Sequence, residues 1–139
     1  MVYFCILSGD EELQRVETES EDDFYYFRDS IHNALEEGDF GSSFPTFMLP
    51  YEEHEWSVEE IGELQRELET IAEAFKKLPP EPFDSHWGSK VWRRKLDGSG
   101  PGYETLYDVY VDAHGNPLLG ELINLCRVAQ KEGKPIALR

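Results

Sequence analysis

Cysteine is scarce in this chain of 139 residues: Cys5 and Cys126 are the whole complement. Two thiols build no disulfide scaffold and cannot ligate a metal alone. A chain of this length buries roughly two-thirds of its unfolded surface and needs neither staple. Both cysteines sit among apolar residues, so we expect unbonded packing thiols in a reducing, cytoplasmic compartment. Long hydrophobic runs are also missing. Val2 to Leu7 (VYFCIL) is too short for a membrane span or a signal-peptide core and follows no basic segment, so it reads as a strand, and no membrane partner is expected. Positive charge is the third shortage, with 13 Lys and Arg against 29 Asp and Glu and a net charge of −16. Such a surface repels nucleic acid, and no nucleic-acid partner is expected.

The vocabulary of catalysis is equally thin. His32, His54, His86 and His114 share no helix-face spacing with one another or with the cysteines, which argues against a zinc site. No serine stands in a Gly-x-Ser-x-Gly elbow. Asp97 to Gly102 (DGSGPG) lacks the Lys-Ser/Thr of a phosphate loop and an apolar strand before it, so it reads as a turn. Carboxylate pairs arise by chance among 29 acids and identify no general acid or base. The residues predict no cofactor, no metal and no catalytic group, and the chain is not expected to be an enzyme.

What is present is a scaffold organised around one helix. Val58, Ile61, Leu64, Leu68, Ile71, Phe75 and Leu78 recur every three or four residues and draw an apolar stripe over 57–78. Ser57 with Glu60 forms a capping box, Trp56 and Ile61 are spaced as a hydrophobic staple, and Pro79-Pro80 forbids continuation. Glu59 and Glu60 in the first turn and Lys76 and Lys77 in the last follow the helix dipole. Glu73 can also pair with Lys77 four residues on.

The remaining elements follow in order. Residues 2–7 are apolar on both alternating faces, as in a central strand. Residues 11–20 are polar and weakly periodic, a loop or a second strand. Phe24, Phe27, Ile31, Ala34 and Leu35 predict a helix over 21–37, with Ser20 as N-cap and Gly38 as the stop. Residues 38–56 hold two prolines and several aromatics and read as irregular, either a loop over the core or a partner-binding edge. Thr105 to Val111 (TLYDVYV) reads as a strand closed by a turn at 112–116. Asn116 as N-cap and Pro117 as first residue open a helix over 117–132 that leaves at Gly133, and 134–138 is a last strand. The predicted fold is α+β, a single domain over 1–139 whose small sheet, strands 2–7, 105–111 and 134–138, is packed by three helices.

Acid is not spread evenly. Residues 1–75 hold 21 Asp and Glu against 3 Lys and Arg, a net of −18, whereas residues 76–139 hold 8 against 10, a net of +2. The cluster Lys90, Arg93, Arg94 and Lys95 is expected to pair internally with the acidic half. On the first helix, Asp22, Tyr26, Asp29, Asn33 and Glu36 share the face opposite the apolar stripe. Carboxylates beside a tyrosine can recognise a basic partner, since tyrosine desolvates well at interfaces. A plain solvated face explains the same residues.

Four features together resemble the bacterial polymorphic-toxin immunity-protein family numbered seventy: the run Gly41-Ser42-Ser43-Phe44-Pro45-Thr46-Phe47-Met48, the long helix ending in Lys77-Leu78-Pro79-Pro80, the turn at His114-Gly115, and the last helix leading to Pro135-Ile136-Ala137-Leu138. The resemblance covers about residues 20–138, and Gly-Ser-x-Phe-Pro is its most specific part. It implies a small cytoplasmic protein, encoded beside a toxin, that binds the toxin domain and blocks it without catalysing anything. Charge then suggests a basic toxin such as a nuclease, met through Asp22, Tyr26, Asp29, Glu36, Asp39, Glu52 and Glu53. Two other classes stay open: an acidic interaction or regulatory module with no toxin, and a small hydrolase. A toxin gene immediately upstream favours immunity, a lone gene the module, and a cleft joining a histidine to a carboxylate the hydrolase.

Overall fold

The apolar N-terminal run becomes β1 (Tyr3–Ser8) in the computed structural model, which describes residues 2–18, 20–37, 39–50, 53–81, 83 and 104–139. A turn at Gly9, with φ of +64°, sends the chain back as β2 (Glu11–Glu17), antiparallel to β1. The segment that the sequence left between loop and strand is therefore a strand. On its other side β1 pairs with β4 (Ile136–Leu138), and β4 pairs with β3 (His54–Trp56). The order is β2-β1-β4-β3, antiparallel throughout, with β1 in the interior as its apolar sequence predicts. In β3 the structure departs from the irregular reading of 38–56: three residues are too few for an alternation to be seen.

The helices are α1 (Glu21–Leu35), α2 (Pro45–Met48), α3 (Val58–Phe75), α4 (Leu106–Val109) and α5 (Leu118–Glu132). Ser20 caps α1 by accepting from the Asp23 amide, and the Ser57–Glu60 capping box of α3 forms as its spacing predicts. Glu73 pairs with Lys76 at 3.5 Å, one residue short of the expected Lys77. Pro117 is the N-cap of α5, one position later than expected, and Gly133 closes it in the left-handed conformation.

The predicted strand over 105–111 does not exist. Its centre is α4, opened by a capping box in which the Asp108 carboxylate accepts from the amide and hydroxyl of Thr105. The reason lies in the period: Leu106, Val109 and Tyr110 are buried, a three-and-four spacing, whereas a strand would bury alternate residues. Branched and aromatic content suggested the strand, and capping and periodicity override it. Tyr110 then lies under α1, where its hydroxyl donates to the Tyr26 carbonyl at 3.0 Å and pairs with the Ser30 hydroxyl.

One face of the sheet carries the core. Cross-strand partners share a face, so Phe4, Val16, Leu138, Ile6, Ile136 and Trp56 point together into the cluster that the helices complete. Phe4 lies 5.6 Å from Phe24, 6.3 Å from Phe47 and 6.1 Å from Trp56, ring centre to ring centre. Such pairs add about 0.5 to 1.5 kcal/mol each beyond the area they bury. The other face carries the row Arg15, Cys5, Ala137 and Glu55, one residue from each strand. Arg15 bonds Glu12 and Glu17 at 2.7 and 2.8 Å and lies 3.9 Å from the Tyr3 ring. Both thiols are free and buried, as expected, but only Cys126 belongs to the core cluster.

Burial pushes the Cys126 thiol from its ordinary 9.0 up to about 12, with a smaller push from the Glu69 carboxylate, and burial raises the Tyr110 phenol as well. Both groups hold protons in the folded chain that the unfolded chain releases. Stability is therefore complete below about pH 9 and falls as pH rises toward 12, Cys126 contributing at most about 1.4 kcal/mol per pH unit. Urea unfolding midpoints at pH 7.5, 9.5 and 10.5 are expected to fall, and Cys126→Ala to fall less steeply. Parallel curves for the two proteins would contradict the assignment.

Candidate functional site

Between α1 and β3 the chain runs through Gly41 to Met48 in a conformation that no regular ladder supports. Five of its backbone donors are taken by two buried carboxylates, while the Ser42 and Met48 amides bond the carbonyls of Asp39 and Phe44. Glu36, only 2% exposed, accepts from the amides of Gly41 at 2.9 Å and of Ser43 and Phe44 at 3.1 Å. Glu67 of α3 accepts from Thr46 at 3.2 Å and Phe47 at 3.0 Å. These two amides open α2, whose own N-cap position is Phe44 and offers no side-chain acceptor, so Glu67 caps it from a distance. The opposite end of α2 is closed by the Arg28 guanidinium, which donates to the Met48 carbonyl. Trp56 Nε1 donates to the Thr46 carbonyl at 2.8 Å. Gly41 adopts φ of +80°, and a Cβ there would meet Leu49 Cδ2 at 2.4 Å.

Next to this segment lies a cleft of about 810 Å³. Phe40, which precedes Gly41, enters from one side, Glu53 from the approach to β3, and Val2, Leu138 and Arg139 from the end of the sheet. Along α1 come Glu21, Phe24, Tyr25, Arg28, Asp29 and His32, a single stripe at helical spacing. Arg28 belongs to the wall: it is 5% exposed and its guanidinium lies 5.3 Å from the Phe24 ring and 5.5 Å from the Phe40 ring. His32 packs on Phe40 at 5.3 Å. Tyr25 is 57% exposed and carries the largest free aromatic area on the stripe.

Of the residues predicted to face a partner, Asp29 and Glu53 line this cleft. Asp22 and Asp39 are exposed outside it. Two placements need correction. Glu36 is not on an exposed face, because its carboxylate is taken up by the Gly41–Phe44 backbone. Tyr26 is half-buried against the core, and the exposed tyrosine is its neighbour Tyr25. The causes differ: the Gly41–Phe44 backbone covers Glu36, whereas Tyr26 is covered from another side of the helix. The apolar stripe of α1 understates how much of the helix is covered, since Tyr110 buries Ser30 and holds the Tyr26 carbonyl from the side that the stripe leaves open. Glu52 and the cluster Lys90, Arg93, Arg94 and Lys95 lie outside the described residues. Glu21, Tyr25 and Phe40 were missed, although the four-residue steps Glu21, Tyr25, Asp29 stand in the sequence.

Among the described residues no three of His, Cys, Asp and Glu converge to hold a metal ion, and no helix is long and apolar enough to cross a membrane. The sequence profile of the family described as Immunity protein 70 matches residues 10–138. The chain belongs to the Immunity protein 70 family. No solved structure matches it. An immunity protein works as an inhibitor of a toxin partner. The Gly41–Met48 run lies inside the matched residues, and it is the stretch that Glu36 and Glu67 hold.

Removing either carboxylate leaves backbone donors buried without acceptors. Glu36→Ala is expected to cost about 3 kcal/mol or more, since each unsatisfied buried group costs about 1 to 3 kcal/mol. Glu36→Gln rescues it only in part, because its one oxygen can still accept from Ser43 and Phe44 while its NH₂ places a donor against the Gly41 amide. Gly41→Ala is destabilising for a separate reason, its φ and its contact with Leu49. Urea unfolding of the three variants checks this, and wild-type stability in Glu36→Ala would show that the carboxylate is not needed.

Proposed function

We propose that this protein binds the toxin domain of a bacterial polymorphic toxin and neutralises it, and that the toxin is a basic protein, a nuclease being the class that fits best. The observation that carries the reading is the family match over residues 10–138. Charge supports the choice of partner. Residues 1–75 carry a net of −18, and the exposed acids Asp22, Asp39 and Glu53 lie on or beside the first helix and the segment that follows it. An acidic inhibitor takes the place of a phosphate backbone in a basic active-site cleft and is drawn there by long-range attraction. In this reading the protein acts in the cytoplasm as one domain, needs no cofactor and catalyses nothing. Asp22, Asp29, Asp39, Glu52 and Glu53 supply the contact charge, and Glu36 contributes only by holding the segment.

Kinetics separate steering from contact. Association with the toxin domain encoded beside this gene is expected to slow as ionic strength rises. Asp22→Lys, Asp29→Lys and Asp39→Lys should each slow it further at low salt and flatten the salt dependence. A carboxylate desolvated against a toxin arginine should cost about 2 to 5 kcal/mol when removed, chiefly through faster dissociation. Rates indifferent to salt, with all three variants still protecting cells, would leave the acid as a solvated face.

A further inference from the structure

The cleft beside α1 has a more specific chemistry than an acidic patch. Glu21, Tyr25 and Asp29 follow one another at four-residue steps, so that two carboxylates flank the exposed tyrosine ring along one wall. Glu53 adds a third carboxylate from the approach to β3, and Phe24 and Phe40 supply the apolar floor. Among the described residues the cleft holds two cations of its own, buried Arg28, which donates to the Met48 carbonyl, and exposed Arg139, which donates to the Leu138 carbonyl at 3.3 Å, so its carboxylates outnumber its cations three to two. A ring between carboxylates attracts a cation twice, through the negative face of the ring and through ion pairing, and the apolar floor favours a cation that is weakly hydrated. Arginine meets both conditions better than lysine. A volume of about 810 Å³ exceeds one side chain and suits a short loop that carries it.

We propose that the cleft between α1 and the Glu53 segment is the anchor pocket for an arginine-bearing loop of the toxin, with the guanidinium seated on Tyr25 beside the carboxylates of Glu21 and Glu53. The proposal rests on the immunity reading and names the part of the surface that carries most of the affinity. It differs from general acidic steering in requiring a ring face at residue 25. Tyr25, Glu21 and Glu53 are exposed, so substitutions there leave the core intact.

The test is the dissociation constant and dissociation rate for the catalytically inactivated toxin domain encoded beside this gene, with thermal melts confirming that each variant folds. Tyr25→Phe should bind like the wild type. Tyr25→Leu keeps apolar area without the ring face and should raise Kd about tenfold, mainly by faster release, as central aromatic anchors do. Glu21→Gln and Glu53→Gln should each raise it several-fold, while Asp22→Asn, the same charge change outside the cleft, should alter mainly the association rate. If Tyr25→Leu, Glu21→Gln and Glu53→Gln all bind like the wild type while Asp22→Lys and Asp39→Lys slow association, the anchor is overturned and the acidic surface stands. If the wild type does not bind the toxin, both readings are overturned together.

Discussion

Two carboxylates carried into the interior hold the least regular part of this protein in place. Glu36 at the end of α1 and Glu67 midway along α3 accept five backbone N–H groups between Gly41 and Phe47. Without them the buried amides of Gly41, Phe44 and Phe47 would lack acceptors, at about 1 to 3 kcal/mol each, while the Ser43 and Thr46 amides lie nearer solvent. Their positions also fix the geometry around them. Once α2 is capped by Glu67, its far end meets Arg28, and Arg28 sits between Phe24 and Phe40 as one wall of the cleft. Gly41 completes the arrangement, since its φ of +80° lies in the left-handed region that favours glycine.

The acidic composition thus divides into two populations with different physics. Glu36 and Glu67 are structural acceptors, each spent on backbone amides. Asp22, Asp39, Glu21 and Glu53 are exposed and free to set the field that a partner meets. Net charge alone cannot separate them, and a surface reading that counts every acid overstates the contact area. The same division explains why a strongly charged half-chain still folds: its buried acids bring acceptors to places where the backbone needs them.

How much was legible in the sequence follows from which interactions are local. The long helix, its capping box, the cap of α1 at Ser20, the exit at Gly133 and the interior position of β1 depend on residues near in sequence and appear as read, except that the long helix ends at Phe75, three residues before Leu78, and leaves Lys76 and Lys77 beyond its last turn. The segment 105–111 was misread because its composition suits a strand, and only burial reveals its helical period. Tyr110 also covers a side of α1 that the apolar stripe leaves open, so Tyr26 is half-buried and the exposed tyrosine is Tyr25. Glu36 was misplaced for a related reason: its partners lie five to eight residues away in an irregular run, where no periodicity announces them. The cleft joins α1 to Glu53 and to the end of β4, residues that only the sheet topology brings together.

The claim on which the rest depends is that buried carboxylates, and not mere packing, fix the Gly41–Phe47 backbone. Native-state hydrogen exchange reads it residue by residue. Ser43 is exposed, yet its amide is bonded to Glu36, so side-chain exposure and amide protection should part company there. The amides of Gly41, Ser43, Phe44, Thr46 and Phe47 are expected to exchange slowly, and the first three to lose protection together in Glu36→Ala. Exchange of Ser43 and Phe44 at the rate of an unstructured loop in the wild-type protein would contradict it.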